Sequence, residues 1–317
     1  MIDQKSIVIL GSINMDLVVQ THRAPNGGET LSGKSFVTIP GGKGANQAVA
    51  VSRMGGNAIL VGRVGQDIYS DVILENLEKF NVDTNRIRRE EKYSTGVASI
   101  IVEENGENRI IIVSGANGCV NESDVDSAID ILREAYLLVM QYEINVDIVL
   151  YAAKTAFQLG VPILLNPAPA YPIGDEILKL ISYLILNEHE AEMISGIKIY
   201  DLVSAEIAAQ NLHSRGVSVV IITLGENGLV MVNGIQTFSM PAHTVNVVDS
   251  TAAGDTFIGA FATAMQKNGN LLEAIRFANA AGALTVTRFG AQQSIPSYDE
   301  VLMFLKNECQ ASKNFTI

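Results

Sequence analysis

The segment Val248-Asp249-Ser250-Thr251-Ala252-Ala253-Gly254-Asp255-Thr256-Phe257 places a carboxylate behind three small residues, after a strand-like run and at the start of a helical stretch over 256–265. Small residues at 252–254 let the backbone turn tightly into the helix. The first amides of a helix have no internal partner and sit at the positive end of its dipole. They form a pocket for an anion, and an aspartate within it can accept a proton from a nearby hydroxyl. Alone, the pattern is more often a capped helix, with Asp255 as N-cap and Gly254 as a turn residue.

Four further segments carry polar chemistry. Pro40-Gly41-Gly42-Lys43-Gly44-Ala45-Asn46-Gln47 sets small residues around a lysine at a helix start, which lets a ligand approach the backbone. It is neither a Walker A loop, since no Ser or Thr follows the lysine, nor a dinucleotide fingerprint, and a glycine turn with a solvated lysine stays open. Gly11-Ser12-Ile13-Asn14-Met15-Asp16 follows the first strand. Residues two apart in an extended chain point the same way, so Asn14 and Asp16 project together, a pair suited to a polyol, and a plain polar loop is the other reading. Thr223-Leu224-Gly225-Glu226-Asn227-Gly228 follows another strand and reads as a site or as a plain hairpin turn. Asn187-Glu188-His189-Glu190 offers carboxylates that serve as helix N-terminal charges or order water around a divalent ion.

Short apolar strands alternating with helices must position these residues. Strands are expected at 6–10, 58–61, 137–140, 162–165, 183–186 and 217–223, and helices at 45–54, 68–80, 146–159 and 204–214. Continuous Val/Ile/Leu runs are those of strands buried on both faces. The alternation predicts an α/β fold, a mainly parallel sheet between two helical layers, with ligands beyond the carboxyl ends of the strands. Two stretches break the rhythm. Residues 13–40 and 94–113 lack helical periodicity, and the turn 103–107 with its Asn-Gly pair predicts a hairpin. Both read as a small β insert that covers a site or pairs with its own copy. Without repeats or a long linker, one domain over 1–309 with this insert is expected, followed by a tail at 310–317.

Composition bounds the partners. The 317 residues carry 22 Lys+Arg and 34 Asp+Glu, a net charge of −12. An acidic chain argues against nucleic acid, which is gripped by clustered Lys and Arg. The apolar runs at 136–140 and 181–186 are too short to span a membrane, and the start has no export-signal pattern. Cys119 and Cys309 read as two free buried thiols in a reducing cytoplasm. His22, His189, His213 and His243 have no metal-binding spacing.

In this order and at these separations, the motifs resemble the ribokinase-like sugar kinase family, from about Ile7 to Phe304. Gly-Gly-Lys-Gly-Ala-Asn at 41–46 is similar to the family's first signature and Asp249–Asp255 to its second. The resemblance implies a three-layer α/β/α fold with a small β-sheet lid that also forms a homodimer contact. It implies Asp255 as the base that takes the proton of a sugar hydroxyl, with the amides of Ala252, Ala253 and Gly254 holding charge on the transferred phosphoryl. It implies sugar contacts at Asn14, Asp16, Gly42, Lys43, Asn46, Glu143 and Asp255. For ATP it implies Asn187, Thr223, Leu224, Gly225, Glu226, Asn227, Gly228, Gly254 and Asn279. Glu190 would hold Mg2+ through water, and Asp249, Thr251, Thr285, Arg288, Gly290 and Ser294 would hold K+, several through backbone carbonyls. Many members carry Gly-Ala-Gly-Asp where this chain has Ala252-Ala253-Gly254-Asp255. The Ala-Ala form, with Asn166-Pro167-Ala168-Pro169-Ala170 and Ser94-Thr95-Gly96-Val97, is similar to the members that phosphorylate ribose. The expected activity is therefore ATP-dependent phosphorylation of D-ribose at O5. The alternatives are deoxyribose, fructose or a nucleoside as acceptor, or a non-catalytic sugar sensor.

Overall fold

The computed structural model describes residues 4–105 and 107–314. The strands are β1 (Ser6–Leu10), β2 (Asn14–Gln20), β3 (Ser35–Gly41), β4 (Asn57–Gly65), β5 (Asp83–Glu90), β6 (Gly96–Val102), β7 (Asn108–Val113), β8 (Leu137–Gln141), β9 (Ile163–Asn166), β10 (Tyr183–Asn187), β11 (Val219–Thr223), β12 (Leu229–Asn233) and β13 (Gln236–Met240). The helices are α1 (Lys43–Arg53), α2 (Ile68–Lys79), α3 (Glu122–Asp126), α4 (Ile129–Glu134), α5 (Val146–Gln158), α6 (Asp175–Leu178), α7 (Glu188–Ser195), α8 (Leu202–Ser214), α9 (Ala253–Asn268), α10 (Leu271–Thr285) and α11 (Tyr298–Asn314).

Nine strands form one sheet in the order β13-β12-β11-β10-β9-β8-β1-β4-β5, parallel except for the hairpin pairs β11–β12 and β12–β13. Strand periodicity divides its core. Ile7 and Ile9 of β1 and Leu137 and Val139 of β8 pack into the layer that contains α1, α9 and α10. Val8, Leu10, Leu138 and Met140 face the opposite layer, with α5 and α8. Alternate residues of a strand point to opposite faces, so a sheet covered on both sides needs uninterrupted apolar runs. The expected α/β architecture is the observed one.

Four further strands form a separate sheet in the order β3-β2-β6-β7. They come from the two stretches expected to form the insert, though Gly106 of the hairpin turn lies outside the described residues. Every residue of β7 is exposed. Strand β5 has no apolar signature; its Arg-rich sequence hid it from periodicity. It is the edge of the large sheet, where charge protects against unwanted pairing. Its Arg86 and Arg89 pair with Asp130 and Asp71 at 2.6 Å.

Three expectations are corrected. The helix expected at 256–265 runs over Ala253–Asn268, with Ala252 as N-cap, so Asp255 is the third helical residue and not the cap. Cys119 is half-buried rather than buried. No tail starts at 310, because α11 continues to Asn314; residues 315–317 lie outside the described residues. Among the described residues no helix is long and apolar enough to cross a membrane, and no cluster of His, Cys, Asp or Glu forms a metal centre.

Candidate active site

A cleft of about 230 Å³ opens beyond the carboxyl ends of the central strands. Its walls include Lys43, Asn187, Glu190, Thr223 and the whole turn Ala252-Ala253-Gly254-Asp255. Ala252 has φ 60°, a left-handed conformation that turns the chain into α9. The amides of Ala252, Gly254 and Asp255 have no acceptor among the described residues, while that of Ala253 makes a long bond to Ser250 O at 3.3 Å. These are the donors an anion requires at a helix start.

Asp255 is buried, and its side chain does not cap the helix. Oδ2 accepts from Asn46 Nδ2 at 3.0 Å and Oδ1 from Gln47 Nε2 at 2.9 Å. Helix packing sets this meeting. Gly259, one turn beyond Asp255, lies against Ala50 and Val51, one turn beyond Asn46 and Gln47. A Cβ at 259 would stand 2.8 Å from Val51 N, so only glycine lets α9 come this close to α1. The apolar stretch of α9 is buried all round, which fixes Asp255 in a rigid frame.

The residues expected to contact a sugar gather where β1 passes into β2. Glu143 Oε2 accepts from Ser12 Oγ at 2.6 Å, from Lys43 N at 3.2 Å and from Asn14 Nδ2 at 3.5 Å. Asn14 Oδ1 accepts from Asn117 Nδ2 at 2.7 Å, and Asn117 Oδ1 accepts from Ile13 N at 2.9 Å. Gly42 has φ 90°, and a Cβ there would lie 2.7 Å from Asn14 N. Its freedom thus lets two stretches of protein backbone meet. Burial pushes the Asp16 carboxyl up to about 7, aided by the nearby charges of Glu143 and Asp255 and opposed by Lys43. Burial pulls the Lys43 ammonium down, but Asp255, Glu143, Glu190 and Asp16 outweigh it and hold it above the usual lysine value.

On the opposite wall Asn187 caps α7, its Oδ1 accepting from Glu190 N at 2.8 Å. Glu190 Oε2 accepts from Asn187 N at 2.9 Å. Burial pushes the Glu190 carboxyl above the usual range, against the Asn187 amide and Lys43. Of the segment 223–228 only Thr223 lines the cleft. Leu224 is core, Gly225, Glu226 and Asn227 form an exposed turn, and Gly228 is buried where β12 begins. The segment is the β11–β12 hairpin, and Thr223 at its start is its contribution to the lining of the cleft.

The remaining predicted residues make bonds of their own. Asn279 Nδ2 donates to Pro241 O at 3.0 Å. Asp249 joins two segments: Oδ1 accepts from Thr251 N at 2.9 Å and Oδ2 from Gly290 N at 3.0 Å. The side chains of Thr285 and Ser294 turn back to Ala281 O and Ala291 O, and Arg288 pairs with Glu300 at 2.6 Å.

Sequence reading gave no role to Ser12, Asn117, Gln141 or Gln292, nor to Gln47 and Asn166 within the motifs. A signal was available. Strands β8, β9, β10 and β11 each end their apolar run on one polar residue, Gln141, Asn166, Asn187 and Thr223. Gln141 is in register with Asn166, and Asn187 with Thr223.

Residues 4–298 match the family described as pfkB family carbohydrate kinase. The chain belongs to the pfkB family of carbohydrate kinases. It is 43% identical over 307 residues to a ribokinase of Schizosaccharomyces pombe, covering 93% of this chain and 96% of that one. It is 35% identical over 302 residues to a deoxyribokinase of Salmonella typhi, covering 94% and 98%. The solved structure of Arabidopsis thaliana ribokinase complexed with ribose and ATP superposes with a TM-score of 0.88 at 34% identity, covering 95% of this chain and 99% of that one. This chain is thus a phosphotransferase with an alcohol group as acceptor.

Proposed function

We propose that this kinase transfers the γ-phosphoryl group of ATP to the 5-hydroxyl of D-ribose in the cytoplasm, giving ribose 5-phosphate and ADP. One observation carries the reading. A carboxylate, Asp255, stands in the first turn of a helix where the amides of Ala252, Gly254 and Asp255 have no acceptor among the described residues, beside a polar cluster built for hydroxyl groups. Asp255 takes the proton from the sugar hydroxyl as its oxygen attacks the γ-phosphorus. The amides of Ala252 and Gly254 hold the charge on the transferred group. Phosphoryl transfer is chiefly positioning and charge stabilisation, and the frame of α1 and α9 supplies both. Asn14, Asp16, Gly42, Lys43, Asn46 and Glu143 form the sugar side; Asn187, the 223–228 turn and Asn279 form the nucleotide side. The small sheet is read as the lid that excludes water. Its exposed strip at Ile110, Ile111, Ile112 and Val113 is read as the contact between two copies.

Glu190 is one hard carboxylate on the nucleotide wall, already accepting from Asn187, which suits magnesium held through water rather than in a cage of protein ligands. The ion, when bound with the nucleotide, neutralises phosphate charge. Asp249 ties together the segments at 249–251 and 288–290, whose oxygen donors suit a hard monovalent cation.

The test is ATP turnover with ribose, 2-deoxyribose, fructose and adenosine, each in potassium and in sodium. Ribose is expected to give the highest kcat/KM, and sodium to lower it. Preference for deoxyribose would support the second reading, to which the Salmonella typhi relative lends weight. Sugar binding without ADP release would indicate a sensor.

A further inference from the structure

Gln47 has no exposed surface, yet every polar position on it is used. Its Nε2 donates to Asp255 Oδ1 at 2.9 Å and to Asn166 Oδ1 at 3.4 Å, and its Oε1 accepts from Gln141 Nε2 at 2.5 Å. An amide side chain can in principle sit either way round. Here the surroundings permit one arrangement. Asn166 Nδ2 donates to the backbone oxygen of Ile185 at 3.1 Å, which can only accept. Asn166 must then present its oxygen to Gln47, and Gln47 its NH2 group. A carboxylate also only accepts, so Asp255 calls for the same orientation. Gln141 supplies the remaining donor, and its own buried Oε1 has no partner.

The other oxygen of Asp255 ends a second chain of the same polarity. Asn76 Nδ2 donates to Gln292 Oε1 at 2.6 Å, Gln292 Nε2 to Asn46 Oδ1 at 3.2 Å, and Asn46 to Asp255. Both donors on the carboxylate are neutral amides. They fix its position and rotation without supplying the positive charge that would weaken it as a proton acceptor. In a medium of low dielectric such chains polarise in the same sense and strengthen one another. Through Asn166 Nδ2, which lies 3.5 Å from Glu190 Oε2, the first chain reaches the opposite wall of the cleft.

We propose that Gln47 is a positioning residue: locked by Gln141 and Asn166, it aims the Asp255 carboxylate at the acceptor hydroxyl and holds it in register with the Glu190 wall. This rests on the reading of Asp255 as the base. The experiment compares native protein, Gln47→Met, Asp255→Asn and the double variant by ribose-dependent kcat and KM, ribose Kd without nucleotide, and melting temperature. Gln47→Met keeps the side-chain volume and removes the donors. It is expected to lower kcat at least tenfold with ribose Kd within threefold of native. In the Asp255→Asn background it should change the residual turnover less than twofold, because the group it aims is gone; a purely structural defect multiplies in both backgrounds. Native kcat in Gln47→Met, or equal fold losses in the two backgrounds, overturns the inference alone. Near-native turnover in Asp255→Asn overturns the base reading and this inference with it. Should Gln47→Met fail to fold, Gln141→Leu releases the amide while leaving Asp255 and Gln47 in place. A kcat loss of at least threefold is then expected, and native kcat overturns the proposal.

Discussion

Two aspartates from different regions of the molecule lie close enough to feel each other's charge. Asp16 belongs to β2 of the small sheet, and its carboxylate accepts no hydrogen bond from another described residue. Asp255 belongs to α9 in the core of the large domain and accepts two. The large domain spends buried amides to hold one carboxylate still. The small sheet instead presents its carboxylate half-buried and without donors, which is why burial drives it up to about 7. In the proposed function the sugar's hydroxyls supply the donors to Asp16, whereas Asp255 is already held by Asn46 and Gln47. On that reading, the contrast is that between a group that recognises and a group that reacts.

The strongest way to break the comparison is Asp255→Asn. Asparagine keeps the shape but cannot take a proton. Turnover is expected to fall about a hundredfold or more, with ribose affinity retained in calorimetry. An equal loss of affinity and turnover would make Asp255 a second recognition residue and erase the distinction.

Asp16→Asn tests the other arm, with a smaller effect on rate and a measurable effect on stability. A carboxyl whose pKa is raised on folding holds its proton more tightly in the native state than in the unfolded chain. Its burial therefore costs stability as pH rises from about 3.8, the cost growing until pH passes about 7 and then staying constant. At 1.36 kcal/mol per pH unit, lessened by partial exposure, the cost at pH 8 is about 2–4 kcal/mol. Ligand-free Asp16→Asn should thus unfold at higher denaturant than native protein at pH 8, with the gain shrinking towards pH 4. Its sugar affinity should fall roughly tenfold. Sugar binding to native protein at pH 7 should release protons, seen as a dependence of the binding heat on buffer. A native-like pH profile of stability in the variant would show that Asp16 is not the strained group.

Much of this arrangement was legible in the chain. Continuous apolar runs at 137–140 and 183–186 marked buried parallel strands, because nothing else needs both faces of a strand apolar. The turn at 252–255 and the lysine loop at 41–46 were legible through motif order. Strand β5 was not, because an edge strand can be Arg-rich when its partners are the carboxylates Asp71 and Asp130. The amide chains on Asp255 were not legible either. Gln47 meets Asp255 across 208 residues, a pairing set by helix packing at Gly259 and by no local pattern. Register could have suggested part of it, since Gln141 and Asn166 end adjacent strands side by side.

The smallest expected effects separate two residues of the turn itself. Ala252 adopts φ 60°, whereas Gly254 lies inside the helix with nothing within 4 Å of where a Cβ would stand. The position that strains an L-residue therefore carries alanine, and the glycine occupies one that does not need it for conformation. Gly254 leaves room: it lines the cleft, and a methyl group would project into the open space where the proposed function puts the transferred phosphoryl. Gly254→Ala should stabilise the fold by about 0.5 kcal/mol through helix propensity and yet lower kcat roughly tenfold or more, since a displacement of the reacting group by about 1 Å is enough for that. Ala252→Gly removes a left-handed strain of about 1 kcal/mol but gives back about 0.5–1 kcal/mol in unfolded-chain entropy, so its melting temperature and turnover should stay close to native. Loss of activity in Ala252→Gly with none in Gly254→Ala would reverse the assignment, making the bend at 252, not the space at 254, what the anion pocket depends on.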